Sequence, residues 1–183
     1  MFNPQLMRVA LVSLVFASPV FAQAPSPNPV SDAIRQSWAE ARRNIAESAT
    51  MMADADFAFK PVDTVRSFGA ILAHVAGASY EFCAAARNAA PPHKEDEFEK
   101  SATTPAAIRK AVTDSLAYCD GAYTALTDKS AAEIGNAAFD SAGKAPRAAA
   151  LIGNTGHLME HYGNLVTYFR LKGLVPPSSR PRK

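Results

Sequence analysis

Several features that mark large classes of proteins are missing from this sequence. Basic and acidic residues nearly balance, with 19 Lys plus Arg against 17 Asp plus Glu, so no strong positive field is available to attract nucleic acid. Runs of β-branched residues are absent, and apolar residues instead recur at three and four positions, which predicts helices. No repeat of about 20 to 50 residues is apparent, which excludes an array of repeated units. We therefore expect an all-α protein that does not bind nucleic acid.

A hydrophobic run of full membrane-spanning length is also missing. Arg8 precedes an apolar run over residues 9–21, which is shorter than the ~20 residues that a span needs. The run ends in small residues, as an export peptidase requires, so we predict a secretory signal peptide over residues 1–22, cleaved after Ala22. An uncleaved N-terminal membrane anchor is the alternative. With the signal removed, residues 23–30 form a flexible leader, and the mature protein is exported without stable membrane insertion, to the periplasm if the source is Gram-negative.

Cysteine is scarce, since Cys83 and Cys119 are the chain's two cysteines. Both lie beyond the predicted signal peptide. In an oxidising compartment they could form one disulfide, but two cysteines in a domain of this size are equally compatible with buried thiols. The sequence leaves these two alternatives open.

At 183 residues, the chain is long enough for one hydrophobic core and too short for two. We expect a single domain over residues 31–177, followed by a basic tail over residues 178–183. Four long helices are predicted at about 31–52, from 67 to the prolines at 91 and 92, at 105–126, and from 146 to Gly173. Ser31 and Thr104 are the expected caps of the first and third helices, and residues 127–145 are expected to form a loop. Four amphipathic helices of this length predict a four-helix bundle.

The stretch "GHLMEHYGNL" carries two of the chain's four histidines, His157 and His161. On a helix that advances about 100° per residue, the two differ by about 40° and share one face. Asn154 and Leu165 fall on the same stripe, which must face the interior. Buried imidazoles need partners for their ring nitrogens, and these are hydrogen bonds, water or a metal ion. Two imidazoles spaced four positions apart favour the metal.

A third histidine, His74, lies in the second helix beside a strip of small side chains that includes Ala70, Gly77 and Ala78. Small residues next to a histidine leave space. If the strip faces the last helix, three imidazoles meet beside a cavity, which suits a metal with three protein ligands and one open position. We predict His74, His157 and His161 as metal ligands.

Three further polar residues are candidates for roles near this site. Glu81 lies two turns beyond His74 on nearly the same face and is the predicted catalytic carboxylate, for proton transfer or ligand support. Asn154 and Tyr168 are the other polar groups near the histidine stripe. For all three, an ordinary structural contact is the competing interpretation. His93, in the polar stretch "PPHKEDEFEKSAT", is expected to be a solvated surface residue.

The segment "HLMEH" also matches the H-x-x-E-H pattern of inverted zinc metalloproteases. In such an enzyme Glu160 would be the general base, and a further acidic ligand would follow later in the chain. No Asp or Glu follows Glu160 in this sequence. Glu160 also lies about 100° from each neighbouring histidine. We therefore interpret Glu160 as a solvated or ion-paired residue and reject a protease.

The two histidine-bearing segments together resemble the DinB-like family of four-helix-bundle proteins, which is related to YfiT-like enzymes. The matching pieces are "FAFKPVDTVRSFGAILAHVAG" and "GHLMEHYGNLVTYFRLKGLVPP". The resemblance implies an up-down-down-up bundle with a crossing connection, and a divalent metal on His74, His157 and His161. Some members are thiol-dependent transferases, including a maleylpyruvate isomerase. This chain departs from the family in two ways. It has Asn164 where members often carry Gln. It also carries an export signal, and a cytosolic thiol would be less available to an exported protein.

From the residues and the resemblance, we expect an exported metal-dependent transferase or hydrolase that acts on a small molecule. The cofactor is a divalent metal ion, with zinc or nickel favoured, although three imidazoles also suit copper and iron. The alternative is a non-catalytic bundle of the cell envelope that binds a metal or a small ligand. A third hypothesis has the histidines filling polar positions of a structural core. The sequence also leaves a homodimer open.

Overall fold

The computed structural model describes residues 25–181, so the predicted signal peptide lies outside the described residues. The described part is mostly helical. Its helices and strands are α1 (Pro29–Met51), α2 (Phe68–Ala86), α3 (Glu97–Ser101), α4 (Pro105–Thr124), α5 (Asp128–Ala132), β1 (Ile134–Ala137), β2 (Asp140–Pro146) and α6 (Arg147–Leu171). The long helices α1, α2, α4 and α6 correspond to the four that were predicted. Short 3₁₀ turns cover Asp54–Asp56 and Pro177–Ser179.

The core lies between the long helices, since α2 and α1 each pack against both α4 and α6. Almost every side chain of α2 is buried. In the part of the chain that the structure describes, α2 is the one helix that is long and apolar enough to cross a membrane, yet 83% of its apolar window is buried within the protein. Such burial is typical of a central core helix, which passes the same test of length and composition.

Three helix ends follow the local signals in the sequence. The Ser67 hydroxyl accepts a hydrogen bond from the Ala70 amide at 3.2 Å and caps α2. The Thr104 hydroxyl accepts one from the Ala107 amide at 3.2 Å and caps α4. Gly173, just beyond α6, has a φ of +71°, a backbone conformation that glycine adopts without steric cost. These caps are short-range interactions, so the sequence alone identifies them.

The expected start of α1 at Ser31 is wrong, because the helix begins at Pro29. Ser31 lies inside the helix, and its hydroxyl is buried without a hydrogen-bond partner in the described chain. The free amides of Val30 and Ser31 instead donate to the Asp128 carboxylate at 3.2 and 2.7 Å. The cap therefore comes from a residue 97 positions later in the chain, which no local pattern announces.

The expected loop between the last two long helices is also wrong, because it contains a β-hairpin. Strands β1 and β2 pair antiparallel, with Ile134 opposite Pro146 and Gly135 opposite Ala145. Phe139 adopts a positive φ of 62° between the strands. The segment lacks the alternation of apolar and polar residues that announces a strand, so only its backbone pairing and its packing on α2 and α6 define it. The fold is therefore mostly helical, and the prediction of an all-α protein is wrong in this segment.

The crossing connection, residues 87–104, runs from α2 to α4 directly over the surface of α2. Gly77 makes this possible, because a Cβ at that position would lie 2.0 Å from the Glu95 carbonyl oxygen. The strip of small residues was predicted to leave a cavity. At Gly77 the strip instead receives the backbone of the crossing connection, so the space is filled by protein.

Cys83 of α2 and Cys119 of α4 form a disulfide with a Cα–Cα distance of 5.3 Å. Both residues are fully buried. The sequence left open a disulfide or two buried thiols, and the structure contains the disulfide. It ties together two long helices on the opposite side of α2 from His74.

Candidate metal centre

His74, His157 and His161 meet between α2 and α6. The His157 Nε2 atom lies 3.1 Å from Nε2 of His74 and 3.0 Å from Nε2 of His161. Each ring offers one nitrogen to the group, and these nitrogens all lie within 4.8 Å of one another. The i, i+4 spacing on α6 places two of them, and the packing of α2 on α6 brings the third.

The arrangement fits a metal ion better than it fits hydrogen bonds among the rings. A neutral imidazole nitrogen carries either one lone pair or one hydrogen, so His157 Nε2 cannot form good hydrogen bonds to both neighbours at once. Zinc binds imidazole nitrogen at about 2.0–2.1 Å, which separates two tetrahedral ligand atoms by about 3.3 Å. The observed separations of 3.0 and 3.1 Å are close to this value. Three imidazole nitrogens this close together are a donor set for a divalent cation.

Burial and nearby positive charge lower the pKa of two of these rings, His157 and His161. Burial is the main cause that lowers the pKa of His157 to about 4, and the charges of His161, His74 and Arg66 lower it further. Burial, together with the charges of His74 and Arg66, also lowers the pKa of His161, against the opposing effect of Glu160 and Glu99. At neutral pH, both rings therefore keep lone pairs available for a ligand.

Two carboxylates of the crossing connection face the outer side of His74. Glu99 Oε1 lies 3.2 Å from His74 Nδ1, and Glu95 Oε1 lies 3.7 Å from the same atom. The sequence showed the acidic run "KEDEFEK" but carried no sign that it folds back onto His74. The Nδ1 atoms of His157 and His161 are buried and lack hydrogen-bond partners among the described residues.

A cleft of about 430 Å³ opens beside His161. Its polar side chains come from the segment before α2 and from the outer half of α6: Thr64, Arg66, Asn164, Thr167 and Tyr168. The Tyr168 hydroxyl donates a hydrogen bond to the Arg66 carbonyl oxygen at 2.5 Å, which joins the two walls of the cleft. Tyr168 thus lies in the same cleft as His161, as its position on the helix suggested.

Glu81 and Asn154 lie in other surroundings. The Glu81 carboxylate is 4.0 Å from the Lys94 ammonium nitrogen and lines a separate cavity of about 800 Å³ that also contains Glu95. Its catalytic role stays a prediction. Asn154 is fully buried, and its amide nitrogen lies 3.2 Å from the Tyr123 hydroxyl and close to both disulfide sulfurs. Asn154 therefore has a structural contact, the competing interpretation raised above.

The remaining histidine and the protease candidate lie apart from the three converging rings. His93 is half exposed, with Nδ1 2.8 Å from the Glu97 carboxylate and its ring against Tyr80. It is thus a surface histidine with neighbours rather than a freely solvated one. Glu160 is exposed on α6, in agreement with its interpretation as a solvated residue.

The family model of the DinB superfamily matches residues 37–165. No curated protein matches the chain significantly. A DinB-like protein from Bacillus cereus superposes with a TM-score of 0.61 at 18% identity, over 80% of this chain and 95% of that protein. A conserved protein from Enterococcus faecalis gives 0.59 at 14% identity, over 78% and 96%.

A mycothiol-dependent maleylpyruvate isomerase is also similar, with a TM-score of 0.61 at 15% identity. The similarity covers 74% of this chain and only 60% of the isomerase. Identities this low show a common fold and nothing of the chemistry.

Proposed function

This chain belongs to the DinB superfamily, and from that premise we propose that it holds a divalent metal ion on His74, His157 and His161 and serves as a metal-dependent transferase or hydrolase. The observation that carries the proposal is the clustering of three imidazole nitrogens, from two helices, within 4.8 Å of one another. Structural core histidines would need hydrogen-bond partners there, and His157 Nε2 can form a good hydrogen bond to only one of its two neighbouring rings at a time.

When bound, such an ion acts as a Lewis acid on a substrate oxygen or lowers the pKa of a bound water or thiol. The chain's own residues hold and orient the substrate. The cleft beside His161 is lined by Asn164 and Thr167, whose amide and hydroxyl can bind a small polar molecule. A thiol is one candidate, because the structurally similar isomerase depends on mycothiol. Zinc and nickel are the favoured ions.

For the fold, we propose a four-helix bundle in which α1, α2, α4 and α6 run up, down, down and up. The packing of α1 and α2 against both α4 and α6 supports this arrangement. The crossing connection then joins two helices that run in the same direction.

The first experiment measures bound metal in the mature chain, purified from Gln23 onward without a histidine tag. We expect about one ion per chain by elemental analysis, and its loss in both His74→Ala and His157→Ala. His93→Ala is the matched control, because it also removes an imidazole but lies outside the three converging rings. If the wild-type protein takes up no metal and the two variants are as stable as it is, the histidines are core residues and the proposal fails.

A second measurement separates an enzyme from a binding protein. Thiol-transfer and hydrolytic substrates are tested with the metal-loaded wild-type protein and with His157→Ala. Turnover that depends on the metal would support the enzyme. Stoichiometric metal without turnover of any substrate class would favour the non-catalytic bundle of the cell envelope.

We also propose that the protein is exported. The signal-peptide pattern of residues 1–22 supports this, and so does the buried bridge between Cys83 and Cys119, because disulfides persist mainly in oxidising compartments. Mass spectrometry of the protein from its natural host should find Gln23 as the first residue. A cytoplasmic protein that retains Met1 and two free thiols would contradict export.

A further inference from the structure

The acidic crossing connection approaches the candidate metal centre at His74 Nδ1. Glu99 belongs to α3, and its Oε1 lies within hydrogen-bond distance of this nitrogen, at 3.2 Å. Glu95 comes to only 3.7 Å, and its side chain is 43% exposed against 24% for Glu99. Glu99 is therefore the carboxylate nearer to His74 Nδ1, at ion-pair distance, and the better placed of the two to accept its proton.

Glu99 is itself held in place by Arg66. The Arg66 guanidinium donates to both carboxylate oxygens of Glu99, at 3.0 and 3.3 Å. Two parallel contacts fix the plane of a carboxylate better than one contact does. The carbonyl oxygen of Arg66 accepts the hydrogen bond from Tyr168, so Arg66 is tied to α6. A continuous series of contacts thus runs from Tyr168 through Arg66 and Glu99 to His74.

The backbone supports the same contact. Because Gly77 has no side chain, the crossing connection can lie directly on α2, one turn after His74. A larger residue there would hold the connection away from the helix. Placing a carboxylate of α3 beside His74 therefore depends on this close approach.

We infer that Glu99 is a positioning residue of the metal centre, held by Arg66. Its carboxylate accepts the hydrogen on His74 Nδ1, which places the lone pair on Nε2, where the other two rings converge. A carboxylate behind a histidine ligand fixes the tautomer and the ring orientation and makes the imidazole a stronger donor. This inference rests on the proposed function, since it assigns a role toward the same metal.

The test compares Glu99→Ala with Glu95→Ala, because each removes one carboxylate from the same connection. Zinc affinity is measured by competition with a chelator, and the visible spectrum is recorded after cobalt loading. We expect Glu99→Ala to bind zinc about 10–100-fold more weakly and to change the cobalt spectrum. Glu95→Ala should stay close to wild type in both. Glu99→Gln, which keeps an oxygen acceptor, should recover part of the affinity and keeps the test valid if the alanine variant does not fold.

Arg66→Met tests whether Arg66 acts through Glu99. We expect this variant to lose part of the zinc affinity, and the double variant with Glu99→Ala to bind no more weakly than Glu99→Ala alone. Independent, additive losses would show that Arg66 does not act through Glu99.

The two proposals fail in different ways. If wild type binds zinc tightly and Glu99→Ala and Glu99→Gln bind it equally well with unchanged cobalt spectra, Glu99 has no positioning role and the metal centre stands. If wild type binds no metal at all, the proposed function fails and this inference fails with it.

Discussion

His157 has the least ordinary surroundings of the three converging histidines. It lies between the other two, with a ring nitrogen about 3 Å from each. Burial and three positive neighbours bring its pKa down to about 4 from the ordinary 6.5. Without a metal, the buried Nδ1 atom of this ring has no hydrogen-bond partner among the described residues, so burial disfavours the charged form. His157 therefore links the stability of the metal-free fold to pH.

Stability of the metal-free protein should fall as the pH drops from 6.5 to about 4. Because the folded pKa of His157 is the lower one, the unfolded chain takes up the proton first. The contribution of His157 to the free energy of unfolding is complete above pH 6.5 and is lost as the pH falls toward 4. We expect a loss on the order of 2 kcal/mol, which is less than the full pKa shift would give because the ring is partly exposed. Urea unfolding in the presence of a chelator, repeated across this pH range, measures the change in the free energy of unfolding.

His157→Gln is the control, since it should flatten the pH dependence over that range. His161 shifts in the same direction, so some dependence should remain. An equal pH dependence in wild type and His157→Gln would contradict this prediction.

Single residues also show where sequence reasoning succeeds. His157 and His161 share a face because helix geometry is local, so their spacing sufficed. His74 does join the other two as predicted, although the small residue Gly77 beside it receives the crossing connection and does not border an open space. Glu99 was missed because it belongs to a short helix in a polar connection without periodicity. Which surface such a connection covers depends on tertiary packing, and no local pattern reveals it.

Among the elements, the crossing connection is the one whose path depends on a single residue. The sequence predicts open space beside Gly77, because small side chains do not reveal which distant segment covers them. The structure places the Glu95 carbonyl oxygen where a Cβ of residue 77 would be. The contact joins two backbones, so no side-chain rotation can relieve an added methyl group.

Gly77→Ala should therefore destabilise the fold by about 1–3 kcal/mol, through overpacking that forces the connection away from α2. It should also weaken metal binding, because Glu99 would move with the connection. Gly163→Ala is the matched control: this glycine lies on α6, and its added Cβ would meet nothing within 4 Å. There alanine should stabilise the helix by about 0.5–1 kcal/mol. Equal unfolding midpoints for the two variants would show that the crossing connection can move away from α2 without loss of stability.

For the molecule as a whole, the disulfide and the candidate metal centre hold α2 from two sides. Cys83 ties α2 to α4, and His74 faces two histidines of α6. The bridge closes a loop of 36 residues that contains the entire crossing connection. It therefore limits how far that connection can move in the unfolded chain.

Removing the bridge should lower the free energy of unfolding by about 2–4 kcal/mol, the range typical of a native disulfide. Cys83→Ala alone should lose nearly as much as the double variant with Cys119→Ala, because either change abolishes the bridge. Denaturant unfolding of the three proteins measures this, with dithiothreitol-reduced wild type for comparison. A reduced protein as stable as the oxidised one would contradict the prediction.

The distance along the chain between the histidines has a consequence for how the molecule is made. His74 and His157 are 83 positions apart, and His161 follows four residues later. A ribosome therefore produces the first imidazole long before its two partners, and a growing chain has only one of the three until α6 is made. A complete set of ligands exists only after α6 has docked against α2. For the proposed centre, metal acquisition is thus a late event in biogenesis, and a fragment truncated before residue 157 retains a single one of its ligands.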